Sequence, residues 1–237
     1  MTTTDWFSNI ISTLFLIGSA AAVLKNNWYQ ARPVFSTYIL LLAIPAPLLM
    51  VLYLIQSHPS QIQYGACRIY AAAYPTMQLL IYFFSIAVLY EFLFHMAGNK
   101  KAIRKVAVIG FAMTMGLTMQ IAYKLMMHAP PTPNRLLDAA MFFGRVATLS
   151  LLISGLFVFA VKSVQSLQLE TKLAIVLAAI AFFEFIQMLI AFMLRGHTQI
   201  AAIPSLVISI SSAILLYVAV RKGPVLANNK ASDATVT

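Results

Sequence analysis

LLIYFFSIAVLYEFL, residues 79–93, is a stretch whose apolar side chains cover every face of a helix. A strand of a membrane barrel would instead alternate apolar and polar residues over about ten positions. A helix satisfies its own backbone groups inside hydrocarbon, where water cannot. This stretch therefore predicts a transmembrane helix and an all-α fold.

The composition extends this prediction to the whole chain. Hydrophobic residues make up 61% and charged residues 9% of it, whereas a soluble domain carries about 25% charged residues. A span needs about 20 apolar residues. We predict an all-α integral membrane protein, a seven-transmembrane-helix bundle within residues 1–222 followed by a disordered tail, 223–237. The spans are Trp6–Leu24, Phe35–Ile55, Ile69–Met96, Ile103–Met127, Leu136–Val161, Leu173–Leu194 and Ile200–Val220.

The basic residues predict the orientation in the cell membrane. One set of alternate loops holds most of them: Lys25, Arg32, Lys100, Lys101, Arg104, Lys105, Lys162, Lys172, Arg221, Lys222 and Lys230. The positive-inside rule places that side in the cytoplasm, so the N-terminus lies outside and the C-terminus is cytoplasmic. The densest group, Lys100, Lys101, Arg104 and Lys105, either anchors the topology or binds anionic lipid or a partner. The net charge of +10 lies at span ends, which argues against nucleic acid.

Ionisable residues inside spans are functional hypotheses because burying them in the membrane is costly. Glu91, Arg145 and Glu184 are of this kind, and Gln187 and Tyr123 add polar atoms. We take these five as a candidate ligand or proton site. The alternative is an ion pair and hydrogen bonds that fix the register of the helices.

Metal binding is a weaker hypothesis. His58, His128 and His197 fall at the outer ends of the second, fourth and sixth predicted spans, and three imidazoles can hold zinc. A histidine at a helix C-terminus is equally explained by the helix dipole. The single cysteine, Cys67, excludes an intramolecular disulfide.

The layout resembles rhodopsin-like receptors in helix count and orientation alone. A retinal protein needs a Schiff-base lysine in its last helix, and Gln199–Val220 contains none, so retinal is disfavoured and no cofactor is predicted. The scattered histidines do not match the clusters of seven-helix hydrolases, and no nucleotide-binding or HExxH motif occurs.

Three functions fit these observations. The first is a stand-alone sensor or receptor-like protein that binds a small or lipophilic molecule in its bundle and signals to a separate partner. The second is a small transporter coupled to protons or ions through Glu184. The third is a membrane subunit of a larger complex, and an enzyme is the least favoured class.

Overall fold

The computed structural model describes residues 3–57, 63–128, 135–165, 186 and 198–221, and these are helical throughout apart from short connections, with no strand among them. The helices are α1 Thr3–Lys25, α2 Trp28–Ala31, α3 Pro33–Ala43, α4 Pro45–Ser57, α5 Gln63–Met96, α6 Lys101–His128, α7 Arg135–Gln165 and α8 Thr198–Val220. The all-α prediction is confirmed. The predicted span 173–194, apart from residue 186, and the tail 223–237 lie outside the described residues.

Within the described ranges, four helical stretches are long and apolar enough to cross a membrane: Pro33–Leu52, which joins α3 to most of α4, and Arg68–Met96, Lys101–His128 and Arg135–Val161. Shorter apolar helices, Asn9–Lys25 and Val207–Val220, lie within α1 and α8. The observed helices extend past several predicted spans because hydropathy reports only the part that suits hydrocarbon. A membrane protein of helical type is therefore what the structure supports, while the count of seven spans stays a prediction.

The predicted span 35–55 is divided in the structure. Ile44 has helical angles and its N–H still donates to the Leu40 carbonyl at 2.9 Å, but α3 ends at Ala43 and α4 begins at Pro45. Pro45 and Pro47 have no N–H to donate, so the ladder of helical hydrogen bonds is interrupted there. The short helix α2 was not predicted, and it follows Asn27, whose φ of 54° ends α1 in a left-handed turn that asparagine tolerates.

The long helix α5 is central to the packing. It contacts α3, α4, α6 and α7, while α1 packs against α8 and α3, and α6 packs against α7. Buried side chains from α1, α2, α3, α5, α6, α7 and α8 form one apolar cluster. Pro75, inside α5, is buried in this arrangement.

Close helix approach depends on glycines that face tyrosine rings. A Cβ added at Gly144 of α7 would lie 2.6 Å from Cε2 of Tyr82 on α5. Gly155, on the same helix, has nothing within 4 Å of such a Cβ. Small residues allow membrane helices to approach in this way, so the α5–α7 contact depends on Gly144 and not on Gly155.

We expect alanine at these two glycines to have opposite effects. Gly144→Ala should destabilise by about 1–3 kcal/mol because the Tyr82 ring must move. Gly155→Ala should stabilise by about 0.5–1 kcal/mol because alanine suits a helix interior better than glycine. Thermal unfolding of both variants in detergent measures the difference, and equal midpoints would contradict this packing.

Candidate functional site

Hydroxyl groups from α5, α6 and α7 lie close together, joined in part through the Thr114 carbonyl, and we call them the hydroxyl cluster: Tyr90, Thr114, Thr118, Ser150 and Ser154. The Tyr90 hydroxyl is 2.6 Å from Oγ1 of Thr114 and 3.2 Å from Oγ of Ser154. Thr118 Oγ1 donates to the Thr114 carbonyl at 2.7 Å and lies 2.7 Å from Oγ of Ser150. The cluster thus links three helices through neutral polar groups.

The spacing of these residues explains how the helices position them. Thr114 and Thr118 are four residues apart on α6, as are Ser150 and Ser154 on α7, so each pair shares one helix face. Tyr90, Thr118 and Ser154 are 6%, 0% and 2% exposed. Buried hydroxyls need hydrogen-bond partners, and here they find them across helices.

Aromatic rings adjoin the hydroxyl cluster. Phe111 meets the Tyr90 ring at 5.9 Å between centroids and the Phe83 ring at 5.8 Å, in both cases edge to face. Gly110 permits this placement, since a Cβ there would lie 2.8 Å from Cε1 of Tyr90. Hydroxyls beside aromatic rings can bind a molecule that has an apolar body and a neutral polar group.

Glu91 lies one residue beyond the cluster and has a different surrounding. Its carboxylate oxygens accept the N–H groups of Val34 at 2.9 Å and Phe35 at 2.8 Å. These amides belong to the first turn of α3, where no helical carbonyl is available to them. Glu91 is 8% exposed, and Arg32 lies within electrostatic range of it. The carboxylate therefore caps α3 from α5.

Side chains in and next to α2 donate hydrogen bonds to the carbonyl groups at the end of α8. The Trp28 indole N–H donates to the Val220 carbonyl at 3.0 Å, and the Asn26 amide donates to the carbonyls of Val220 and Arg221, both at 3.2 Å. The last carbonyls of a helix lack intrahelical donors. The C-terminal ends of α1, α5 and α8 and the start of α3 are thus joined at one end of the bundle.

The other predicted site residues are scattered or undescribed. Arg145 is exposed on α7, with its guanidinium 5.7 Å from the centre of the Phe142 ring. Tyr123 is 59% exposed on α6. Glu184 and Gln187 lie outside the described residues, so their relation to Arg145 stays a prediction.

Of the three histidines predicted as zinc ligands, His128 lies in the described part of the chain. Nδ1 of His128 lies 2.7 Å from the Lys124 carbonyl, and the ring is exposed at the end of α6. His58 and His197 fall in the undescribed segments. Over the described ranges, no three His, Cys, Asp or Glu side chains are grouped so as to hold a metal.

The basic group at the start of α6 is partly surface and partly packed. Lys100, Lys101 and Lys105 are exposed. Arg104 is half-buried, with its guanidinium 5.0 Å from the centre of the Phe94 ring. The density of basic residues in the sequence did not show that Arg104 is packed against a ring while the lysines are exposed.

The partners of the Tyr90 hydroxyl were not predicted from the sequence. Single Ser and Thr residues are common in membrane helices, so none of them stands out alone. The repeated four-residue spacing on two consecutive spans was the available signal.

Comparisons of the chain with protein-family models, with curated proteins and with solved structures find no match.

Proposed function

We propose that this chain is a seven-span protein of the cell membrane that acts as a sensor or receptor-like module and binds a small or lipophilic molecule within its helix bundle. The hydroxyl cluster carries this proposal. It brings neutral donors and acceptors from three helices together beside aromatic rings. Binding between helices can bias their arrangement, which is what a sensor requires.

The proposed topology has the N-terminus outside and the C-terminus in the cytoplasm. Asn26 contacts the Arg221 carbonyl, and Glu91 contacts the start of α3, so four of the ends flanked by basic residues meet on one side. Grouping of basic charge on one side supports the positive-inside assignment. The sixth predicted span, 173–194, would return the chain to the outer side after α7, so that α8 ends on the cytoplasmic side.

The character of the interior favours a neutral ligand over an ion pathway. Among the side chains whose burial is described, Glu91 is the buried acidic one, and both of its oxygens hold backbone amides. A carboxylate used in this way is poorly placed to exchange protons with a substrate. Proton-coupled transport would have to depend on Glu184, which is the alternative that the sequence left open.

Loss of single hydroxyls tests the proposal. The protein would be purified in nanodiscs as wild type, as Thr114→Val and as Ser154→Ala, and small molecules that co-purify would be identified by mass spectrometry. We expect one compound near stoichiometric amount in the wild type and about tenfold weaker rebinding in each variant, since one lost hydrogen bond of about 1.4 kcal/mol is a factor of ten.

Thr76→Val is the matched control, because in the described part of the chain the exposed Thr76 hydroxyl on α5 donates to its own helix, at the Ala72 carbonyl. Equal binding in all variants would contradict the site, and hydroxyls that merely join helices would lower stability without changing the bound compound. Proton flux in liposomes that is lost in Glu184→Gln would favour the transporter instead.

A further inference from the structure

A second feature, separate from the hydroxyl cluster, lies at the end of α5. His95 is exposed there, and Arg32 and Arg104 both lie within electrostatic range of it. Successive side chains of a helix are turned by about 100° around its axis. The Phe92 side chain therefore lies about 60° to one side of His95, and the Phe94 side chain lies about 100° to the other side. The Arg32 guanidinium lies 5.7 Å from the centre of the Phe92 ring, and that of Arg104 lies 5.0 Å from the centre of the Phe94 ring. The two guanidinium groups therefore flank His95.

These rings restrict the two arginines. A guanidinium over an aromatic face is attracted by the ring, and an arginine fixed in this way loses less freedom when it binds an anion. Phe92 is buried and also contacts Phe35 at 6.0 Å. The Arg32 guanidinium thus lies against a ring of the helix core, and that of Arg104 lies against a half-buried ring.

In the described part of the chain, the charges that act on His95 are those of Arg32 and Arg104, both positive. Glu91 contributes one negative charge near Arg32, and its oxygens are directed to the amides of Val34 and Phe35. Arg104 has its Nε buried without a hydrogen-bond acceptor in the described part of the chain. A buried donor without an acceptor is costly, and an anion beside Arg104 would supply one.

The start of α6 adds a second reason for an anion here. Its first turn contains no acidic residue, while Lys101, Arg104 and Lys105 place positive charge at the positive end of the helix dipole. Cations are disfavoured and anions are favoured at this end. A bound anion would interact favourably with the helix dipole and would reduce the mutual repulsion of the basic residues.

We propose that Arg32, His95 and Arg104 form a binding site for a phosphate group, carried by an anionic phospholipid headgroup or by a free phosphate ion. Arginine presents a planar set of donors that matches phosphate oxygens. This site differs from a general attraction between the basic loop and the membrane, because Arg104 would bind the phosphate directly and the adjacent Lys105 would not.

The test compares two sources of phosphate. Full-length protein is placed in phosphatidylcholine nanodiscs, in nanodiscs that also contain phosphatidylglycerol, and in phosphatidylcholine nanodiscs with inorganic phosphate at matched ionic strength. Thermal unfolding is followed in each, and native mass spectrometry counts retained phosphatidylglycerol. We expect the wild type to gain stability in one of the two phosphate conditions, by mass action on the folded state.

The variants separate a site from diffuse attraction. Arg104→Gln should weaken the apparent affinity about tenfold, as expected for the loss of a charge-assisted hydrogen bond. Lys105→Gln removes the same charge from the adjacent exposed position and should change it less than about twofold. Arg32→Gln should act like Arg104→Gln, and if it fails to fold, Arg104→Gln decides.

An effect of phosphatidylglycerol alone identifies a lipid headgroup as the ligand, and an effect of inorganic phosphate identifies the free ion. Absence of stabilisation by either would overturn the proposal. Equal losses in Arg104→Gln and Lys105→Gln would also overturn it, because they would show that charge and not geometry governs binding.

Discussion

Replacing Glu91 with glutamine is expected to lower the free energy of unfolding by about 2–4 kcal/mol. The substitution removes the charge that caps α3 and turns one acceptor into an NH₂ group that faces a backbone N–H. Hydrogen bonds to a charged group contribute about 1.5–3 kcal/mol each. The expected loss of unfolding free energy is smaller than the sum of two such hydrogen bonds, because a glutamine side chain is less costly to bury than a carboxylate.

Asp138→Asn is a suitable control for Glu91→Gln. Asp138 is also an acid in the first turn of a helix, α7, but its side chain is only half-buried. Its replacement should cost less than that of Glu91, about 0.3–2 kcal/mol, the range for a charge near a helix terminus that is partly buried. Thermal unfolding in the same detergent compares the two, and an unchanged midpoint for Glu91→Gln would show that the cap does not stabilise α3.

The consequence for function is that Glu91 connects helices. It joins α3 to α5 one residue away from Tyr90, which joins α5 to α6 and α7. A molecule that displaced the Tyr90 hydroxyl would act on the same turn of α5 that holds α3. In the proposed sensor, this turn is the step between ligand binding and the cytoplasmic end of the bundle.

Hydropathy predicted the helices well because a membrane span has to be long and apolar. The predicted spans 103–127 and 136–161 fall within α6 Lys101–His128 and α7 Arg135–Gln165. The division at Pro45 was harder to predict, since both halves remain apolar and the missing N–H affects hydrogen bonding and not hydropathy. The left-handed turn at Asn27 and the short helix α2 were not predicted, because one residue in a left-handed conformation does not alter the hydropathy of the sequence.

The site was less predictable because its residues act through tertiary contacts. Charge identified Glu91 from the sequence, but its partners are backbone amides of Val34 and Phe35, and backbone groups give no sequence signal. Thr114 and Ser154 are ordinary residues until α6 and α7 bring them to Tyr90. Periodicity predicts which of these hydroxyls share a face of one helix. It does not predict which faces of two helices meet.

Arg145 and Glu184 are expected to show strong energetic coupling. Arg145 lies nine residues after Leu136, and Glu184 lies eleven residues before Arg195. At about 1.5 Å per residue, antiparallel spans would place the two at depths that differ by only about 3 Å. Over the described residues, Arg145 contacts the Phe142 ring and has no carboxylate partner, so a pair would have to form with the segment that contains Glu184.

A double-mutant cycle tests this pair. Arg145→Met and Glu184→Gln should each destabilise by about 3–5 kcal/mol, because either change leaves the other charge unpaired inside the membrane. The double variant should cost much less than the sum. Arg135→Met with Glu184→Gln is the control cycle and should be additive, because Arg135 lies about 15 Å earlier along α7. If the Arg145 cycle is additive as well, the two residues do not pair, the ligand or proton site predicted around them loses its support, and the hydroxyl cluster remains as the proposed ligand site.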